Sequence, residues 1–426
     1  MDHFAEGGED LVIDRRRAGE LLDAMLERLG PLRRVLLIPP DFTRAGSGAG
    51  ELTVMLHERL AGRARVEIMP ALGTHAPMTR GEIEAMFPGV PLGLFREHAY
   101  RHGLSRLGEV PASFVRQVSE GRLDFPIACE VSRLLVEGGW DRILSIGQLV
   151  PHEVAGIANH NKNIHVGVGG RDMIDKTHFL GAVHGMERIM GRARSPVRDV
   201  FNHADAFCGA LPVTYLLTVR ARDAGGALVT RGLFAGEGEA CFLAGARLCR
   251  RVNVSLLDRP IRRCVVWLDP GEFKSTWLGN KAIYRTRMAM ADGGELLVLA
   301  PGVERFGEDP EIDRLIRRYG YRGTPRTLES VQESAELSAN LSAAAHLIHG
   351  SSEGRFTVRY APGGLTRDEI ESAGFAWGDL GELRRRYDPA RLQEGPNVMP
   401  DGEKIFFVGN PALGLWALAS RFEEQA

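Results

Sequence analysis

The feature that most constrains this chain is an alternation of short apolar runs, each stopped by Pro, Gly or Asp, with stretches of helical period. Arg34–Ile38 (RVLLI) runs into Pro39-Pro40-Asp41, and an amphipathic segment, Glu51–Leu60, follows. Arg65–Met69 and a helix over Arg80–Phe87 repeat the order. Arg142–Ile146 (RILSI), a loop over 147–170 and a helix over Asp172–Met190 repeat it again. Uninterrupted apolar runs of about four to eight residues read as strands buried on both faces, and parallel strands need such intervening helices as crossovers. Thr214–Arg220 and Leu228–Leu233, joined through Ala224-Gly225-Gly226, read instead as an antiparallel pair, followed by a helix over Glu237–Arg251.

A second series starts at Cys264–Leu268 and stops at Asp269-Pro270-Gly271. Ser275–Ala291 is predicted as a helix closed by Asp292-Gly293-Gly294. Glu295–Ala300 is the next strand, and Ile405–Val408 and Leu413–Arg421 are the last strand and helix. The expected class is α/β, built as two α/β domains over residues 1–260 and 261–426, with the site in the cleft between them. The last strand and helix are expected to pack back on the N-terminal domain.

Composition removes several functions. Lys plus Arg number 53 and Asp plus Glu 55, so no basic field exists to draw the chain to nucleic acid. No run approaches the ~18 apolar residues of a membrane span. The N-terminal MDHFAEGGED has no apolar core of a signal peptide. Five cysteines, Cys129, Cys208, Cys241, Cys249 and Cys264, form no CxxC pair and fit free thiols in a reducing cytoplasm, the expected location.

In open α/β sheets ligands bind beyond the carboxyl ends of the strands. After the first strand stand Asp41, Thr43 and Arg44. Asp41 fits either a helix cap or an acid of the site, and Arg44 either a solvated cation or a bidentate grip on carboxylate or phosphate. After the second stand Gly73-Thr74-His75, a histidine placed like a general base. After the third come Pro151-His152-Glu153 and a Gly- and Asn-rich loop, GIANHNKNIHVGVGG, over Gly156–Gly170. His152, His160, Lys162, His165 and His178 crowd this region, although the whole chain has 13 histidines. A divalent metal, zinc for example, held by His152, His160 and His178 is one reading, without an HExxH or Cys/His spacing behind it. Gly167–Gly170 ahead of a helix can cradle a phosphate.

In these motifs and their order the sequence resembles the nickel-pincer-nucleotide-dependent lactate racemase family of 2-hydroxyacid racemases and epimerases. The matching segments are Pro40-Asp41-Phe42-Thr43-Arg44, Gly73-Thr74-His75, Pro151-His152-Glu153-Val154-Ala155-Gly156, Lys162, His178 and, in the second half, Lys281. The resemblance implies an isomerase that inverts C2 of a 2-hydroxyacid by hydride transfer to and from a nickel-pincer nucleotide. That cofactor is a pyridinium-3,5-bisthiocarboxylic acid mononucleotide carrying nickel. Lys162 would anchor it through a thioamide, and His178 would complete the nickel coordination. His75 and His152 would alternate as acid and base. Arg44 and Lys281 would hold the substrate carboxylate or cofactor groups, and Asp41 would support His75 or Arg44. Cofactor-synthesis proteins are implied partners.

Residue chemistry agrees with part of this: one base per face of a flat 2-keto acid suits two imidazoles, and no side chain can accept a hydride. The sequence departs from members acting on lactate at the Tyr-Gln pair ahead of the second-half Lys, where Trp277 and Leu278 stand. Trp277 is expected to stack on the cofactor or to shape a pocket for a substrate larger or more polar than lactate, such as a sugar acid. Asn280, His184, Asn202 and His203 are further polar candidates. Two other readings remain open: the divalent-metal hydrolase or lyase on His152, His160 and His178, and a non-catalytic protein that binds a nickel nucleotide.

Overall fold

The computed structural model describes residues 2–209 and 211–423. The chain divides into two compact units, one of Met1–Leu180 with Met190–Asn253, the other of Gly181–Ile189 with Val254–Ala426.

The first unit is built on a six-stranded sheet. Its spatial order is Asp2–Gly7, Leu228–Gly236, Val213–Arg222, Arg142–Gln148, Arg34–Ile38, Arg65–Ile68. The last four strands are mutually parallel, and Leu228–Gly236 runs antiparallel to both neighbours. The RVLLI run is apolar throughout because both faces are covered. Val35 and Leu37 enter one core with Leu144, Ile146 and Leu216. Leu36 and Ile38 enter the opposite core with Ile143, Leu217 and Val219. Each such side chain contributes roughly 1.5–3 kcal/mol on full burial.

Helices Arg15–Leu29 and Ala49–Leu60 cover the first face through Leu22, Met25, Leu52 and Leu56. Glu239–Asn253 covers the second through Phe242, Ala246 and Cys249. The Asp14 carboxylate caps the first helix by accepting from the Arg17 amide at 2.7 Å. The alternation of strand and helix read from the sequence is therefore the architecture, an α/β fold with parallel sheets. Two pieces of this unit carry no apolar run and escape sequence reading. They are the edge strand Asp2–Gly7 and the antiparallel ribbon of Leu104–Val110 with Ile127–Ser132.

The second unit carries its own six-stranded sheet, in the order Ala376–Trp377, Thr357–Pro362, Met290–Ala300, Ile261–Trp267, Lys404–Val408, Gly395–Val398. All pairs are parallel except the last. One of its cores gathers Val265, Leu297, Leu299, Ala361, Ile405 and Phe407.

Three predicted helices differ here. Ser275–Ala291 is two short helices, Thr276–Gly279 and Lys281–Thr286, and its end is drawn into the strand Met290–Ala300. Met290 pairs with Ile261, and the register then slips so that Glu295 meets Arg263. Asp292-Gly293-Gly294 is therefore an irregularity inside a strand, with Gly293 at φ +71°, rather than a helix stop. Leu413–Arg421 becomes a strand, Leu415–Leu418, parallel to Val254–Leu257, before the helix Ala419–Glu423. In both cases strand pairing outweighs local helical period. The helix predicted over Asp172–Met190 runs from Arg171 to His184 and stops at Gly185, whose φ of +106° a helix cannot hold. Among the described residues no helix is long and apolar enough to cross a membrane.

Candidate active site at the carboxyl ends of the parallel strands

Arg34–Ile38 lies between Arg65–Ile68 and Arg142–Gln148, so the turns that leave these three strands emerge side by side. Pro40 and Ala71 bridge the first two turns. The amide of Gly73 donates to the carbonyl of Gly167 at 2.8 Å, docking the Gly73-Thr74-His75 turn on the loop that carries Lys162. Asn163 fixes the same loop to the strands through Nδ2, which donates to Ser145 Oγ at 3.0 Å and to the Ile38 carbonyl at 3.3 Å.

The loop is compact and strained. Asn159 and His160 sit at φ +65° and +60°, and Asn163–Gly167 forms a single π turn, a geometry frequent at functional sites. Two glycines permit it. A Cβ on Gly147 would meet Asn159 Nδ2 at 1.8 Å, and one on Gly169 would meet the His165 carbonyl oxygen at 1.8 Å. Because the second obstacle is backbone, Gly169→Ala is expected to destabilise the protein by at least ~2 kcal/mol, read as a lowered denaturant midpoint, with the loop displaced.

Asp41 settles on His75 rather than Arg44. Its Oδ2 accepts from His75 Nδ1 at 2.6 Å and its Oδ1 from Thr43 Oγ1 at 2.5 Å. Burial raises the Asp41 pKa, but the hydrogen bonds from His75 and Thr43 outweigh it and hold the carboxyl below its ordinary range. The ionised carboxylate keeps the proton of a neutral His75 on Nδ1. Nε2 then carries a lone pair, on a side chain that is 43% exposed.

His152 is the converse. It is buried, and its Nδ1 accepts from the amides of Val154 at 3.1 Å and Ala155 at 3.4 Å. The neutral ring therefore carries its proton on Nε2 and is a donor there. Burial, aided by the charges of Lys162 and Arg44, holds it well below the ordinary histidine pKa.

Lys162, Arg44, Glu153, His152 and His178 form one electrostatic group. Burial and the Arg44 guanidinium push the half-buried Lys162 amine down to about 8, against a smaller opposing pull from Glu153. His178 is lowered by burial and by Lys162. Its Nδ1–H donates to the Ile174 carbonyl at 2.6 Å, one turn back on its own helix, which leaves Nε2 as the lone-pair nitrogen. A metal-ligating imidazole usually has this arrangement, with the second nitrogen held by a carbonyl or carboxylate. The donor set fits the group implied by the resemblance: an amine that is partly neutral near pH 8 for a thioamide, and an imidazole nitrogen presented for nickel.

The remaining candidates have other surroundings. His160 is packed into the core, its ring 4.0 Å from Tyr215 and 5.2 Å from Phe242, with Nε2 donating to the Gly238 carbonyl at 3.2 Å. Burial drives it down to about 3. His152, His160 and His178 therefore do not assemble a ligand set, and that metal reading is corrected. The sole triple among the described residues whose ligand atoms all lie within 4.8 Å of one another is Cys129, His165 and Cys208. His203 packs against Phe114, with ring centres 4.3 Å apart and planes tilted by 38°. Asn202 Oδ1 accepts from Asn161 Nδ2 at 2.8 Å. Trp277 and Lys281 belong to the second unit. There the Trp277 ring stacks on His346 at 4.2 Å, and Lys281 Nζ lies 5.4 Å from the centre of the Phe273 ring.

Two contributors were given no role from the sequence. Glu153 was visible only as part of a motif. Arg198, fully buried, supports the loop from beneath by donating to the carbonyls of Ile157 at 2.5 Å and Asn159 at 3.2 Å.

Residues 22–190 match the lactate racemase N-terminal domain. Asp41, Arg44, His75, His152, Glu153, Lys162 and His178 fall inside that match. Two solved structures resemble the whole chain. One, a crystal structure of a protein from Thermotoga maritima, is 25% identical, with a TM-score of 0.83 over 97% of this chain and 100% of that one. The other is the lactate racemase apoprotein from Thermoanaerobacterium thermosaccharolyticum, 16% identical, with a TM-score of 0.69 over 92% of this chain and 88% of that one. At that identity the second likeness shows the fold. No curated protein matches the sequence.

Proposed function

We propose that this protein is a 2-hydroxyacid racemase or epimerase that works with a nickel-pincer nucleotide, acting on a substrate larger or more polar than lactate, such as a sugar acid. The observation that carries the reading is the convergence of Lys162, His178, His152 and Arg44 in one electrostatic group beyond the parallel strands. Lys162 would hold the nucleotide and His178 Nε2 the nickel. When bound, the cofactor supplies the hydride acceptor that no side chain can provide.

The chain's own residues handle the proton and the carboxylate. His75, with its Nδ1–H on Asp41, presents Nε2 to take the hydroxyl proton; Asp41 then faces an imidazolium and stabilises it. His152 presents Nε2–H to the substrate oxygen on the other side. His75 returns that proton when the hydroxyl re-forms, while the neutral His152, held as the Nε2–H tautomer, stabilises the substrate oxygen as a hydrogen-bond donor rather than as an alternating base. Arg44 is assigned the substrate carboxylate, which its planar fork suits. The same reading assigns Lys281 to the carboxylate and Trp277 to the cofactor. Cofactor-synthesis proteins are the required partners. A non-catalytic carrier has no use for a carboxylate-oriented base, so the Asp41–His75 pair favours the enzyme.

The direct test is loss of optical purity from single stereoisomers of 2-hydroxyacids and aldonates, using protein produced together with cofactor-synthesis proteins. Asp41→Asn is expected to lower turnover by roughly 10²–10⁴-fold, because an amide no longer enforces the base-ready tautomer. A D41N variant with unchanged turnover would remove His75 from the proton path.

A further inference from the structure

A second constellation in the first unit shares no residue with the group just described. Cys129 comes from the strand Ile127–Ser132, His165 from the turn Asn163–Gly167 and Cys208 from the turn Ala206–Cys208. Their ligand atoms all lie within 4.8 Å of one another. Cys129 Sγ is 3.8 Å from His165 Nδ1. A tetrahedral zinc ion, with Zn–S near 2.3 Å and Zn–N near 2.0 Å, places such ligand atoms about 3.5–3.8 Å apart.

The histidine is already oriented for a metal. His165 Nε2–H donates to Asp205 Oδ1 at 2.8 Å, so Nδ1 is the nitrogen turned toward the thiols. Asp205 is held in turn: its Oδ2 accepts from Asn161 Nδ2 at 2.7 Å, and Asn161 Oδ1 accepts from Arg198 at 2.5 Å. A carboxylate behind a ligating imidazole is the recurrent support of protein metal sites, and two thiolates with an imidazole select a soft, N- and S-preferring ion.

We propose that Cys129, His165 and Cys208 bind a divalent zinc-class ion, with Asp205 orienting His165 and the fourth position open to water. Cys208 and Asp205 line a surface pocket of about 460 Å³ with Asn202 and Glu239, which provides the entry path. Cys129 is fully buried, so a substrate cannot reach its sulfur and the triple does not act as a Cys-His-Asp nucleophile. The ion joins three segments far apart in sequence, one of which, through His165, is the loop that carries Lys162.

The test uses the full chain produced without cofactor-synthesis proteins, stripped by chelator and titrated with Co²⁺ and then Zn²⁺. About one ion per chain is expected, with tetrahedral d–d bands and thiolate-to-cobalt charge transfer for Co²⁺. Zinc should also raise Tm and protect Cys208 from iodoacetamide. Cys208→Ser, at a half-buried position that tolerates the change, should lose the charge-transfer band and most of the affinity. His178→Ala and Lys162→Ala should keep both, which separates this ion from nickel at the other group. Absence of stoichiometric metal from the wild type overturns the proposal. So does a cobalt spectrum that survives in the Cys129→Ser/Cys208→Ser double variant, or one that disappears with His178→Ala.

Discussion

His75→Ala is expected to slow stereochemical interconversion by roughly 10²–10⁴-fold, the usual contribution of a positioned general base. His152→Ala should cost a comparable factor. Both variants should retain nickel and nucleotide, because neither ring is assigned to hold them. The two losses should nevertheless differ in kind. His75 is 43% exposed and paired with an ionised Asp41, so added imidazole can reach its place and restore part of the rate. His152 is 6% exposed and lodged against the amides of Val154 and Ala155, and rescue there should fail. Rates measured from each stereoisomer with metal content determined in parallel check this. Loss of nickel from both variants would contradict the assignment, since it would make the histidines ligands rather than base and hydrogen-bond donor.

The second large effect concerns Lys162. Its pKa in the folded chain lies near 8, below the ordinary lysine value, because burial and Arg44 disfavour the ammonium. The amine is the nucleophile, so covalent loading should rise as pH increases through about 8 and then level off. The same shift is a stability statement of opposite sense. A group whose folded pKa is depressed is held at a cost wherever it is charged, that is, fully below about 8. The cost fades as pH climbs toward the unfolded value near 10.4. Lys162→Met should therefore stabilise the cofactor-free protein at pH 7, on the order of 1–3 kcal/mol, and by less at pH 9.5. It should also abolish covalent attachment. Denaturant midpoints at the two pH values, with intact mass after loading, read both effects. A destabilised Lys162→Met with no pH trend would mean that the ammonium is paired and comfortable.

The fold was legible where burial dictates it. RVLLI and RILSI are apolar on both faces because helices cover both sides of the sheet; Pro39 marks where the first gives way to the site, while the second runs on through Gln148. The place of the candidate residues was legible for the same reason: Asp41, Arg44, His75 and His152 each follow a strand, and parallel neighbours must bring those ends together.

What stayed hidden depends on partners distant in sequence. Whether Asp41 serves His75 or Arg44 is a matter of a 2.6 Å contact that no spacing reports. His160 counts as one more histidine in a rich loop, yet left-handed backbone at Asn159 and His160 sends its ring against Tyr215 and Phe242. Cys129 and Cys208 read as scattered thiols because the strand and the turn that carry them are far apart in sequence and come together in the fold. Ser275–Ala291 kept a helical period that the pairing of Met290 with Ile261 overrode.

The measurement that bears most directly on the central claim is intact mass with metal analysis on protein produced together with cofactor-synthesis proteins. The expected result is added mass of a pincer nucleotide, localised by peptide mapping to Lys162, with about one nickel per chain that is lost in His178→Ala. Protein with neither nucleotide nor nickel, under conditions that load a lactate racemase, would contradict it.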